Sequence, residues 1–140
     1  MSALVELLRR VEFFAGSSEA DLATLASLVQ DRRANRGAPV TSAGSHAAGF
    51  FIIAKGEATV RVHGVVRRRL GPGDYFGELA LIDGGRRSAD ITADTDMEYY
   101  GLSERAFRSF VSAHPQTMWH VLEHVVALLR QCQEREISSR

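Results

Sequence analysis

Gly37, Pro39, Gly44, Gly49, Gly56, Gly64, Gly71, Pro72, Gly73, Gly77, Gly84 and Gly85 cut the middle of the chain into segments too short for helices of ordinary length. Inside these segments the apolar pattern is that of strands. Phe50-Phe51-Ile52-Ile53 is a continuous apolar run, and Ala58, Val60 and Val62 alternate with Glu57, Thr59, Arg61 and His63, as in a half-buried strand. Val65 to Leu70 reads as its partner after a tight turn around His63-Gly64, and Ile91, Ala93 and Met97 to Leu102 supply later strands. Short strands with almost no helix between them predict an antiparallel, jelly-roll-like β-roll over about 37–102.

The two ends have a different period. Leu4, Leu7, Leu8 and Val11 recur at helical spacing ahead of Phe13-Phe14, and Ser18 opens a capping-box-like run before Leu22, Leu25, Leu28 and Val29. Helices are therefore expected over about 2–29. At the other end Ser103 is placed to cap a helix from Glu104 to Val111, and Pro115 can begin a longer one reaching about 137. Along that helix Met118, Leu122, Val125, Leu129 and Cys132 follow at steps of four, three, four and three, flanked by Val121, Val126 and Leu128. Such an a/d seam on a long terminal helix predicts self-association or docking on an effector. The fold class is mainly β with flanking helices, in a single domain over 1–140.

Composition narrows the functional classes. Lys+Arg 17 balances Asp+Glu 17, which argues against a nucleic-acid surface, because that affinity rests on clustered excess positive charge. The lone Cys132 allows no internal disulfide and fits a reducing cytoplasm. The N-terminal residues lack a signal-peptide pattern, and no apolar run approaches the roughly 20 residues of a membrane span.

The residues with chemistry cluster in Gly73-Asp74-Tyr75-Phe76-Gly77-Glu78-Leu79-Ala80-Leu81-Ile82-Asp83-Gly84-Gly85-Arg86-Arg87-Ser88-Ala89. Leu79 to Ile82 can form one helical turn whose free amides and positive end would face an anion. Arg87 supplies a guanidinium fork suited to phosphate oxygens, Ser88 a hydroxyl donor, and Glu78 an acceptor for a sugar hydroxyl. Together they fit a ligand with one anionic group and one hydroxyl.

That run resembles the phosphate-binding cassette of cyclic nucleotide-binding domains, of the type in the catabolite activator protein and protein kinase A regulatory subunits. The resemblance extends to Phe13-Phe14, the strand Phe50-Phe51-Ile52-Ile53 with the Gly56 after it, and the helices after Ser103. It implies that residues 76–89 hold the sugar-phosphate of cAMP, the preferred ligand, or of cGMP. By the family pattern Glu78 takes the ribose 2′-hydroxyl and Arg87 the cyclic phosphate. Gly77, Leu79, Ala80, Ser88 and Ala89 complete the shell. Cys132 and Gln133 stand where the catabolite activator pattern places a Thr-Ser pair against the base. Arg86 and Asp90 also depart from the family pattern on either side of the cassette.

The resemblance implies a non-enzymatic sensor whose C-terminal helix relays ligand capture, as a homodimer or to an effector domain. No effector pattern precedes Arg140, so a sensor piece of a longer regulator and a free-standing module are both expected classes. The alternative is a degenerate copy of the roll that binds no ligand and serves as a dimerisation or interaction module. His120-Val121-Leu122-Glu123-His124 matches an inverted zincin pattern, but on a helix bearing the apolar seam it reads as flanking polar residues, and no metal is expected. Gly71 to Gly77 has the wrong spacing for a dinucleotide fingerprint, and Arg67-Arg68-Arg69 reads as a solvated or ion-paired strand edge.

Overall fold

The structure, a computed structural model, describes residues 3–41, 49–77 and 89–138. Helix α1 (Ala3–Arg9), a 3-10 turn (Glu12–Phe14) and helix α2 (Glu19–Leu28) open the chain. Ser18 caps α2, its Oγ accepting the Asp21 amide at 3.1 Å. The strands are β1 (Gln30–Ala34), β2 (Pro39–Thr41), β3 (Gly49–Lys55), β4 (Ala58–Val62), β5 (Val65–Leu70), β6 (Tyr75–Phe76), β7 (Asp90–Ala93) and β8 (Met97–Ser103). Helices α3 (Glu104–Ala113) and α4 (Pro115–Ser138) follow, α3 being capped by Ser103 Oγ on the Ala106 amide.

The strands form two antiparallel four-stranded sheets, ordered β1-β8-β3-β6 and β2-β7-β4-β5. This is the expected roll flanked by helices. β1 lies ahead of its expected start, because Gln30-Asp31-Arg32-Arg33-Ala34 is polar on both faces and shows no alternation to read. Its position comes from pairing along β8, from Gln30 with Gly101 to Ala34 with Met97.

β3 joins two cores. Phe50 and Ile52 point to a helical core with Leu8, Val11, Phe13, Phe14, Leu22, Leu25, Phe107, Phe110 and Val121. Phe51 and Ile53 point the other way, between the sheets, with Leu70, Phe76, Ile91, Met97 and Tyr99. The unbroken apolar run thus records a strand buried on both faces. At its end Gly56 has φ of +95°, and a Cβ there would lie 2.6 Å from the Asp96 carbonyl oxygen and 2.8 Å from Met97 Cα. Only glycine fits this approach.

α4 packs through one flank of its predicted stripe, the Val121 side, and leaves most of the seam to solvent. Thr117 and Val121 are buried, while Met118, Trp119, Leu122, Val126 and Leu129 are 40–60% exposed. Among the described residues no helix is long and apolar enough to cross a membrane.

His114, between α3 and α4, ties the C-terminal helices to α2. Its Nδ1 lies 2.8 Å from the Phe110 carbonyl and its Nε2 3.2 Å from Asp21. The Phe110 carbonyl and then the Asp21 carboxylate raise the His114 pKa, and the hydrogen bond to His114 lowers that of Asp21. A raised histidine stabilises the fold below its unfolded pKa, near 6.5, and loses that contribution as pH climbs through the folded value. A lowered carboxylate contributes above about 3.9 and loses its share as pH falls through the folded value. The pair is therefore worth most between those limits. The difference in melting temperature between wild type and Asp21→Asn should peak near pH 5–6 and shrink above pH 7. A pH-independent difference would refute the pairing. Gly56→Ala should cost several kcal/mol, well beyond the ~1 kcal/mol of an ordinary Gly→Ala change, as read from denaturant unfolding.

Candidate ligand-binding site

The cassette loop leaves one sheet and enters the other. β6 is the edge strand beside β3, with Phe51 opposite Phe76, and Gly77 leaves it at φ of +95°. The chain rejoins at Ala89 and runs into β7, where Ile91 pairs with Val60 and Asp90 with Arg61. Gly77 and Ala89, the two ends of the cassette sequence, are thus attached to different sheets. Between the sheets Phe51 stacks on Phe76 at 5.2 Å, with Ile91, Val60 and Tyr99 in the same interior cluster.

The turn into β6 is held from the neighbouring strand. Ile53 N donates to the Asp74 carbonyl at 2.9 Å, Gly73 N donates to the Ile53 carbonyl at 2.8 Å, and the Asp74 carboxylate accepts the Gly71 amide at 2.8 Å. Tyr75 then points to the helical side. Its hydroxyl donates to Glu12 Oε1 at 2.9 Å, and the same oxygen pairs with His124 Nδ1 on α4. Phe13 lies against both rings, 5.3 Å from Tyr75 and 5.0 Å from His124. The 3-10 turn thus joins the strand entering the cassette to α4. The sequence offered no sign of this link, since Glu12, Tyr75 and His124 are far apart and of common types.

Of the expected site residues, Gly77 and Ala89 are placed at the two ends of the loop. Glu78, Leu79, Ala80, Arg87 and Ser88, with the Leu79–Ile82 turn and Arg86, lie outside the described residues. Cys132 and Gln133 are exposed on the distal part of α4. Asp90 is exposed too, and it alternates with the inward Ile91, so it does not face the interior. On α4, His120 interacts with Glu123 and Gln116, whereas His124 turns to Glu12. The two histidines of the zincin-like pattern are therefore engaged separately, and among the described residues no metal-ligand cluster forms. Arg69 meets Asp94 and Thr59 at the sheet edge, as an ion-paired edge requires.

Comparison with known proteins agrees with this architecture. Residues 31–114 match the model of the family described as cyclic nucleotide-binding domain. Glutaminase 2 of Bradyrhizobium diazoefficiens is 32% identical over 78% of this chain and 18% of that protein. The cAMP-dependent protein kinase regulatory subunit of Mycosarcoma maydis is 36% identical over 73% of this chain and 21% of its own length. The chain thus spans about a fifth of each of these relatives. Among solved structures, the Thermus thermophilus catabolite activator protein superposes with a TM-score of 0.82 at 26% identity, over 91% of this chain and 63% of that one.

The Glu12 link is directly testable. Glu12→Ala should speed amide exchange in the first half of α4 about fivefold, the effect of losing roughly 1 kcal/mol of local hydrogen bonding, and leave β3 and β8 unchanged. Equal acceleration throughout, or none in α4, would show that Glu12 does not fasten that helix.

Proposed function

From membership of the cyclic nucleotide-binding domain family, to which this chain belongs, we propose that it is a sensor for a cyclic nucleoside monophosphate, cAMP foremost and cGMP second. The observation that supports this most is the position of the cassette sequence. Gly77 follows β6 of one sheet and Ala89 precedes β7 of the other, so the cassette sequence connects the two sheets. In this reading Glu78 accepts from the ribose 2′-hydroxyl and Arg87 neutralises the phosphate. The Leu79-Ala80 amides and Ser88 complete the shell, and Cys132 and Gln133 are available to the base. The chain acts as one regulatory domain over 1–140 and in the cytoplasm. It is not itself an enzyme, any chemistry belonging to attached domains.

Signal transfer follows as a population shift. The loop is continuous with Tyr75-Phe76, and Tyr75 shares Glu12 with His124, so a movement of the loop biases the seating of α4. α4 in turn shows solvent a stripe of Met118, Trp119, Leu122, Val126 and Leu129. Such a stripe suits a second copy or an effector domain. The competing reading, a roll that binds nothing and associates through α4 alone, rests on the same stripe.

Calorimetric titration with cAMP and cGMP separates the two readings. Binding is expected for the wild type, and Arg87→Leu should weaken it roughly 30- to 1,000-fold, the 2–4 kcal/mol of a desolvated charge pair. A folded wild type that takes up neither nucleotide would leave only the interaction-module reading. Undiminished affinity in the variant would remove Arg87 from the site.

A further inference from the structure

The solvent-facing seam of α4 differs from the one that spacing predicts. Val121 is buried and Val125 half-buried, which turns Trp119, Leu122, Val126 and Leu129 outward at 40–60% exposure. With the exposed Gln133 these residues recur at steps of three, four, three and four. Trp119, Val126 and Gln133 therefore stand at a positions, and Leu122 and Leu129 at d positions. Glu123 and Arg130 each follow a d residue and share one flank, the e positions. Met118, Val125 and Cys132 make the other flank, the g positions, and carry no charge. Leu122, Val126 and Ala127 floor a shallow groove beside Trp119, with Glu123 and Arg130 at its rim.

Charge decides which helix fits this face. In a parallel pair each e position meets a g position of the second helix. A parallel copy would set Glu123 against Met118 and Arg130 against Val125, so neither charge gains a counter-ion. In an antiparallel pair e meets e and g meets g. Glu123 then lies opposite Arg130 of the second copy, and the two-fold axis repeats the contact in reverse. Val126 faces Leu129 and Leu122 faces Gln133, while Val125 lies beside Cys132 on the uncharged flank. A slip of one heptad would oppose the two Glu123 carboxylates, so charge also fixes the register. Glu123 Oε1 lies 3.3 Å from His120 Nδ1 on its own helix, and a carboxylate has capacity for a guanidinium donor besides. Exposed ion pairs contribute little each, so the apolar seam supplies the affinity and the flank charges select the orientation.

The way α4 is mounted suits the same arrangement. Val121 and His124 hold its first half to the body, whereas Gln131 to Glu134 are all exposed. Side by side and antiparallel, the free half of each helix covers the outward face of the other's mounted half. We propose that α4 pairs with α4 of a second copy of this chain in antiparallel orientation, Glu123 of each against Arg130 of the other. This goes beyond the sensor reading and does not depend on it.

Sedimentation equilibrium of the full chain should report a dimer at micromolar concentration. Glu123→Arg and Arg130→Glu should each weaken it about tenfold, and the double exchange E123R/R130E should restore it to within about threefold. Orientation is read separately by disulfide trapping on a Cys132→Ser background. Leu122→Cys and Gln133→Cys chains, mixed and mildly oxidised, should cross-link only between unlike chains. Like positions lie about 16 Å apart along the axis in the antiparallel pair, and face each other in a parallel one. All these substitutions fall on exposed side chains, and far-UV circular dichroism confirms that each variant folds. Cross-links between like chains, or charge exchanges that do not rescue one another, would overturn the antiparallel pairing. A monomer throughout would overturn it too, and would give this face to a different protein.

Discussion

The structure depends on β3 being buried on both faces. A strand with one wet face supports one core, but Gly49–Ile53 has none, and its alternate side chains enter two cores at once. Phe50 and Ile52 hold the helices, and Phe51 and Ile53 hold the roll. The helices and the sheets are thereby packed on one set of backbone hydrogen bonds, to β8 on one side and β6 on the other. Because close-packed interiors are not continuously deformable, the elements with most freedom to shift are those at the margins of these cores. β6 and α4 are such elements.

What the sequence reveals follows from how local each cause is. Ser18 and Ser103 cap helices through amides three residues on, and both are readable. The β4–β5 hairpin is readable because its turn, His63 and Gly64 at φ of 52° and 77°, demands residues that tolerate positive φ. β1 is not, because its cause is a partner some seventy residues away. The apolar face of α4 illustrates an intermediate case. Two stripes run along one helix, Thr117 and Val121 toward the body and Met118, Leu122 and Leu129 toward solvent. Periodicity shows that apolar stripes exist, but not which one the rest of the chain covers.

The site divides in the same way. The cassette is legible because its glycines, carboxylate, arginine and serine fall within a dozen consecutive residues and together imply one kind of ligand. The link from Tyr75 through Glu12 to His124 is not legible, since it joins three elements through unremarkable side chains. His124 shows how a local pattern misleads. Its spacing from His120 suggests a metal pair, whereas its environment of Phe13, Tyr75 and Glu12 gives it a structural partner on another element.

Arg67-Arg68-Arg69 makes the final point about position. As a composition the run is a basic patch, and a basic patch suggests a polyanion. The pleat and one bulge send the neighbours to different environments: Arg69 to Asp94 on the outer face, Arg68 to the inner face beside Val60. Dividing the charges in this way removes the continuous surface that nucleic-acid binding requires. A strand alternation of two residues therefore gives neighbouring arginines of one sequence feature separate surroundings, Arg69 in the ion pair at the sheet edge and Arg68 on the other face.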